Sequence, residues 1–237
     1  MNVEAKVVAK ARELGATAAG IARVTDLRDA PSYGVTEETA GATWPPGMSS
    51  VLVWALEHPS TQPSLDWWNY EVPGYTPGNR ILIGQAAEMR DWLVEDLGIE
   101  AQPLPYPVER GGVFLKDAAV LAGLGVIGRH NLLITPNAGS RVRLRAMFLA
   151  RELTPTGPIA DFDPCEGCPA PCHRACPRDA FDDGTYVLSR CREEMEANEA
   201  AAAPVDGAVL GIDGIFDTTK YCRNCELACP AGIPRST

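Results

Sequence analysis

Between Met1 and Gly15, apolar residues fall at Val3, Val7, Val8, Ala11 and Leu14 among charged and polar ones, the spacing of one face of an amphipathic helix. Two later stretches lack that period. Thr17–Val24 and 50-SVLVWA-55 are runs of apolar and β-branched residues bounded by glycine or proline, and each predicts a buried strand. The helical period returns at Ile83, Ala86, Ala87, Met89, Trp92, Leu93 and Leu97 and stops at Gly98, which predicts a helix over Ile81–Leu97. Before it, 60-STQPSLDWWNYEVPGYTPGN-79 is aromatic, proline-rich and aperiodic. Such a segment is either an ordered loop over a site or a packed surface excursion. Trp67, Trp68, Tyr70 and Tyr75 suit a planar cofactor, and equally they suit packing against one another.

Further on, Lys116–Ala122 reads as a helix leading into the turn 123-GLGVIG-128, then a strand at Leu132–Thr135, a turn at Pro136–Gly139, and a strand or strand-helix junction over Val142–Ala150. Everything beyond Pro155 is cysteine-rich and short in regular patterning. The segment 153-LTPTGPIADFDP-164 holds three prolines and a glycine, which is linker chemistry. A boundary near 155–163 follows, giving domains at 1–157 and 158–237. The fold class expected is mixed α/β (α+β), with a small cysteine-bearing module after a larger first domain.

A net charge of −10 argues against general nucleic-acid binding, which needs a basic surface to displace counterions from phosphates. No run of about 18 apolar residues occurs, so no membrane span is expected, and the N-terminus lacks the unbroken apolar core of an export signal. A cytoplasmic location is the expectation. In a reducing compartment, eight cysteines crowded between Cys165 and Cys229 read as metal ligands before disulfides.

Their order is Cys165-x2-Cys168-x3-Cys172-x3-Cys176-Pro177, then a lone Cys191, then Cys222-x2-Cys225-x3-Cys229-Pro230. Eight thiolates are what two [4Fe-4S] clusters require. In the bacterial ferredoxin pattern each cluster takes three ligands from one motif and its fourth from the cysteine before proline in the other. That crossover assigns Cys165, Cys168, Cys172 and Cys229 to one cluster, and Cys176, Cys191, Cys222 and Cys225 to its neighbour. Two four-cysteine zinc sites use the same Cys-x2-Cys chemistry, but Cys-Pro at both motif ends and the x3 spacings fit ferredoxin modules better. Pro169-Ala170-Pro171 makes the second spacing one residue longer than the usual motif, so the loop is expected to bulge there.

Other signals carry less. His58, His130 and His173 are too scattered for a metal triad, and no Walker loop, GxSxG elbow or HExxH is found. The 123–128 turn has Gly-x-Gly-x-x-Gly spacing, but it follows a helix and lacks the acid about 20 residues on that a dinucleotide fold needs. What remains is a backbone that something flat can approach, or a tight packing turn. Arg129, Arg141, Arg143 and Arg145 follow at once, the last three at alternate positions of one strand face. They bind phosphate or carboxylate groups of a cofactor, neutralise anionic clusters, or pair with the surplus acids.

The string 116-KDAAVLAGLGVIGRHNLLITPNAGSRVRLRAMF-148, followed by two ferredoxin-type motifs with a lone cysteine between them, resembles the cobalamin-dependent epoxyqueuosine reductases and reductive dehalogenases. 14-LGATAAGIARV-24 and 49-SSVLVWAL-56 are similar to the start of the same family's domain. The resemblance implies a nitroreductase-like domain holding base-off cobalamin, with a ferredoxin-like module passing electrons inward from an external donor such as a ferredoxin, flavodoxin or reductase. By residue match, Gly123, Gly125, Gly128, Arg129, Asn131, Ser140 and Arg141 would line the corrinoid. The family's reductases carry an acidic proton donor ahead of a Pro-Val-Glu-Arg context; here the run is 104-LPYPVERG-111, with Leu104 at the acid's place. Tyr106 is the candidate proton donor that remains. The function expected is an iron–sulfur oxidoreductase acting through a corrinoid. The alternative is an electron-transfer protein that reduces or handles the corrinoid of a partner protein without turning over a small molecule.

Overall fold

A computed structural model describes residues 2–35, 44–182 and 184–232. They form two compact units that interleave along the chain: Met1–Leu56, Gly84–Val126 and Leu144–Phe162 in the first, Glu57–Ile83, Ile127–Arg143 and Asp163–Thr237 in the second.

The first unit is built on a four-stranded sheet of order β1-β2-β7-β4. Its strands are β1 (Ala18–Arg23), β2 (Ser50–Glu57), β4 (Ala101–Pro103) and β7 (Val142–Leu149), with the last residue of β2 and the first two of β7 counted to the second unit. β1 and β2 run antiparallel from Ala18↔Ala55 to Arg23↔Ser50, and β4 and β7 from Ala101↔Leu149 to Pro103↔Met147. Ser50–Ala55 of β2 are buried one after another. This is why the strand reads as an unbroken apolar run and not as an alternation: both faces of the sheet are covered.

α1 (Val3–Glu13) and α5 (Leu115–Leu121) pack on β1, and α2 (Val24–Arg28) packs on α5. α1 starts where the Asn2 side chain accepts from the Ala5 N–H, an N-cap that satisfies one orphan donor. α4 (Pro77–Leu97) places Ala86, Met89 and Leu93 in the core, where Trp54 donates to Gln85 Oε1 at 3.0 Å. α3 (Ser32–Val35) is a single turn whose Tyr33 ring meets Phe114 edge-on.

The prolines of 153–164 do not make a free linker up to Phe162. Leu153 is buried and its N–H donates to Ser50 Oγ at 2.9 Å; Thr156 Oγ accepts from Ile21 N and donates to Ala122 O, at 2.8 and 2.7 Å. The segment is laced to β1, and a Cβ on Gly20 would come 2.0 Å from Ala122 O.

In the second unit, β3 (Trp67–Trp68), β11 (Ile215–Lys220) and β10 (Ala203–Asp206) form a sheet of order β10-β11-β3. The aromatic stretch before α4 is the packed excursion: Trp68 stacks on Tyr75 and meets Tyr70 and Tyr221, while the Lys220 ammonium lies 4.0 Å from the Trp67 ring centre. Two small hairpins, β5–β6 (Val126–Ile127, Leu133–Ile134) and β8–β9 (Phe181–Asp182, Thr185–Tyr186), add local order. The cysteine region carries more helix than its sequence suggests: α6 (Pro171–Arg174), α7 (Leu188–Ala200) and α8 (Asn224–Leu227). Among the described residues no helix is long and apolar enough to cross a membrane.

Candidate metal centre

All eight cysteines belong to the second unit. α6 and α8, which carry ligand candidates of the first and second motifs, pack against each other. Cys165, Cys168, Cys172 and Cys229 line one cavity with Arg129, His130, Ile134 and Pro230. Burial pushes the Cys172 thiol above its ordinary pKa, and the nearby Cys229 and Cys165 push it further.

The other four are neighbours of one another. The thiol of Cys225 is raised to about 12, first by burial and then by Cys222, Cys191 and Cys176. Cys222 is raised by burial and, more weakly, by Glu194, Cys176 and Cys191. The Ala180 N–H donates to Cys176 Sγ at 3.3 Å, and the Tyr186 hydroxyl lies near Cys191. Thus the chain brings together two groups of four, each mixing residues of both motifs with the lone Cys191 in the second. Thiols crowded so that each disfavours ionisation of the next are unfavourable unless cations compensate. That is the chemistry of a metal–thiolate donor set, and four thiols are the number a cubane takes. Among the described residues no three His, Cys, Asp or Glu side chains stand close enough to share a single ion. The fit therefore rests on the donor chemistry and the shared cavity, not on a preformed single-ion cage.

How Cys229 reaches the first group is explained by residues 139–141. The turn at Pro136–Gly139 closes by paired hydrogen bonds between Thr135 and Gly139. Gly139 has φ +59°, and a Cβ there would lie 1.9 Å from Ala231 O. Ser140 Oγ donates to Glu226 O at 3.1 Å, and Arg141 Nη1 and Nη2 donate to the carbonyls of Cys229 and Ala231 at 3.5 and 3.1 Å. Arg129 Nη1 reaches the Cys168 carbonyl at 3.3 Å. The bulge expected at Pro169–Pro171 is present as Ala170 in the left-handed region, φ +50°, opening α6.

These contacts bear on the seven residues matched to a corrinoid site. Gly123 has φ +76° and meets the Gly157 backbone, where a Cβ would come 2.8 Å from the Gly157 Cα, and Gly128 is packed on Ile134. Gly125 is buried, and Asn131 lies in the left-handed region with its N–H bonded to Gly128 O at 2.9 Å. Arg129, Ser140 and Arg141 serve carbonyls of the cysteine loops. None of these contacts shapes a cradle for a corrin ring among the described residues. Tyr106 is 62% exposed and Leu104 is buried at 2%.

The strand-face arginines do not act as a group. Arg143 pairs with Asp66 and Glu226, whereas Arg145 is buried with its Nε unpartnered among the described residues, and burial lowers its pKa. Sequence reasoning missed Asp66, Arg223, Glu226 and Tyr186. The surplus of acids was a signal that some arginines would be paired, but not which.

No family model matches the chain. It is 32% identical over 142 residues to the epoxyqueuosine reductase of Pseudomonas aeruginosa, covering 58% of this chain and 37% of that protein. It is 43% identical over 115 residues to the tetrachloroethene reductive dehalogenase of Sulfurospirillum multivorans, covering 47% of this chain and 22% of that one. The chain thus spans well under half the length of either relative. A solved reductive dehalogenase, whose structure suggests a mechanism for B12-dependent dehalogenation, superimposes with a TM-score of 0.61 at 18% identity, over 98% of this chain and 32% of that one. This last likeness is one of fold.

Proposed function

We propose, from the premise that the chain belongs to the family of epoxyqueuosine reductases and reductive dehalogenases, that it is an iron–sulfur reductase carrying a four-iron cluster on each of its two cysteine groups. The observation that carries this reading is the partition of eight thiols into two fours, each drawn from both motifs. In the finer architecture the second unit supplies the ferredoxin-like part and the first the nitroreductase-like part.

When bound, the clusters would supply one-electron storage and transfer. The chain's own residues do the rest. Arg141, Ser140 and Gly139 fix the Cys229 arm. The amide of Ala180 donates to Cys176 Sγ and the hydroxyl of Tyr186 is placed to donate to Cys191, which favours the more reduced, more negative state of whatever the second group holds. Cys222 is the exposed member and so the natural entry point for electrons from a donor such as a ferredoxin, flavodoxin or reductase. A reducing cytoplasm keeps the thiols available for iron.

The test is anaerobic reconstitution of the full chain, with iron and sulfide counts, EPR and a cobalamin titration on one sample. About eight irons and two interacting cluster signals are expected, and a spectral change on adding cobalamin would add a corrinoid to them. Zinc in place of iron overturns the cluster assignment. Clusters without a cobalamin response remove the corrinoid.

A second reading has its own observation. The place of the family's acidic proton donor is held by buried Leu104, and Tyr106 is turned largely to solvent. This favours a protein that reduces or handles a partner's corrinoid without small-molecule turnover. Reduction of a corrinoid protein with no product from added substrate would select it.

A further inference from the structure

Four charged side chains in the second unit close into a ring. Arg143 Nε donates to Asp66 Oδ1 at 2.8 Å and its Nη2 to Glu226 Oε2 at 3.0 Å. Arg223 takes the opposite corner: its Nη1 stands 2.7 Å from Asp66 Oδ2, off the line of a good hydrogen bond, and its Nε donates to Glu226 Oε1 at 3.1 Å. The side chains of Asp66, Arg223 and Glu226 are 11%, 11% and 5% exposed. His58 braces the ring from outside, with Nδ1 2.8 Å from Asp66 Oδ1 and its carbonyl accepting from Arg223 Nη2 at 2.7 Å.

The ring joins three stretches far apart in sequence: the turn Pro63–Asp66, the start of β7, and α8 with its preceding residue. Its two guanidiniums and two carboxylates cancel, so it brings no net charge to its surroundings. Nor is stability a sufficient reason for it, because apolar side chains of equal volume generally serve as well as a buried ion pair. What a guanidinium fork spanning two carboxylates adds is a fixed orientation. The element so oriented is α8: Arg223 follows Cys222, and Glu226 follows Cys225.

We propose that the Asp66–Arg143–Glu226–Arg223 ring is a positioning device for the second cysteine group, fixing α8 so that Cys222 and Cys225 are in place before iron arrives and stay in place afterwards. This rests on the two-cluster reading. The first group depends on the ring less, because its one residue from this region, Cys229, has separate anchors in Gly139 and Arg141.

The test is chelator-driven iron release from the anaerobically reconstituted full chain, with the iron count of the wild type taken first. In Asp66→Asn, half of the iron is expected to leave about 10–100-fold faster, the range for losing a partner that orients a ligand, and the other half at the wild-type rate. In a Cys172→Ser background, which disables the first group, only the fast phase should be left. Arg223→Lys keeps the charge and loses the fork, and should give the same fast phase with a smaller factor; it replaces Asp66→Asn should that variant not fold. Unchanged release, or equal acceleration of both halves, overturns the positioning role. So does failure of both variants to fold, which would make the ring a determinant of the whole unit. A wild-type chain that never takes up about eight irons defeats the cluster reading itself, and does so before any variant is compared.

Discussion

Around Cys165, Cys168, Cys172 and Cys229 the chain offers short loops and carbonyl contacts: Arg129 on Cys168, Arg141 on Cys229 and Ala231, and a glycine where backbones nearly touch. Around Cys176, Cys191, Cys222 and Cys225 it offers a helix of 13 residues, a half-buried ring of charges, an amide donor to sulfur and a tyrosine hydroxyl beside one. The two groups share a donor set but not a means of support. One is held by arginine bonds to loop carbonyls and a close backbone approach, the other by a ring of paired side-chain charges. They should therefore fail separately, and each failure should be readable in the iron it releases.

The largest separation is expected on removing metal altogether. Ligand binding to the native state adds directly to its stability, and crowded thiols lose their compensation without a cation. Hydrogen exchange of the chelated protein should show loss of protection over residues 165–176 first, while α8, still clamped by the ring, keeps more of its own. The core strand β2 should be unaffected, since its burial involves no cysteine. Equal loss across both groups would erase the distinction.

Next in size is Gly139→Ala. The added methyl would sit 1.9 Å from the Ala231 carbonyl in a left-handed backbone, a strain of roughly 1–3 kcal/mol that is relieved by moving the Cys229 arm. Iron analysis should show the loss of one cluster, the first, with the second intact. The melting temperature should fall by no more than a few degrees.

A third effect tests the ring through pH. Burial opposes ionisation of Asp66, but the His58 hydrogen bond and the Arg143 and Arg223 charges outweigh it and leave its pKa below the usual value. A carboxyl depressed in the folded state contributes stability that is present above its unfolded pKa of about 3.9 and is lost as pH falls through the lower folded value. Wild-type melting temperature should drop on acidification through and below that range. Asp66→Asn should start lower at neutral pH and lose less over the same interval, the two curves converging by on the order of 1 kcal/mol.

Sequence carried some of this and not the rest, for physical reasons. β2 was legible because a strand buried on both faces must be apolar throughout, and α4 because Met89 and Leu93 repeat at helical spacing. The ferredoxin pattern gave the expectation that cysteines of the two motifs combine, and of that expectation the cavity shared by Cys165, Cys168, Cys172 and Cys229 is what the fold displays. α7 escaped because it buries no residue at all, so no apolar stripe marks its period. The ring escaped because Asp66 and Arg143 lie 77 residues apart and nothing in either neighbourhood names the other. Prolines at 155 and 158 suggested a linker, yet Thr156 between them laces the segment to β1 through bonds that composition does not encode.

The smallest expected effect is the sharpest probe of the second group. Tyr186 faces Phe181 across the β8–β9 hairpin, and its hydroxyl is placed to donate to Cys191 with Cys225 nearby. Burial, and then those sulfurs, raise its pKa, so it stays a neutral donor at any working pH. A hydrogen bond to a ligand sulfur stabilises the reduced cluster more than the oxidised one, because reduction adds negative charge there. Tyr186→Phe removes that donor and keeps the ring. For a one-electron couple, the loss of a hydrogen bond of about 0.5–1.5 kcal/mol corresponds to about 20–60 mV. In an EPR-monitored redox titration one midpoint potential should fall by that amount. The other should stay where it is, because none of its four thiols meets the hydroxyl. A shift of both would mean that the hairpin tunes the pair as a whole, and the division between a carbonyl-anchored and a charge-anchored cysteine group would lose its electronic half.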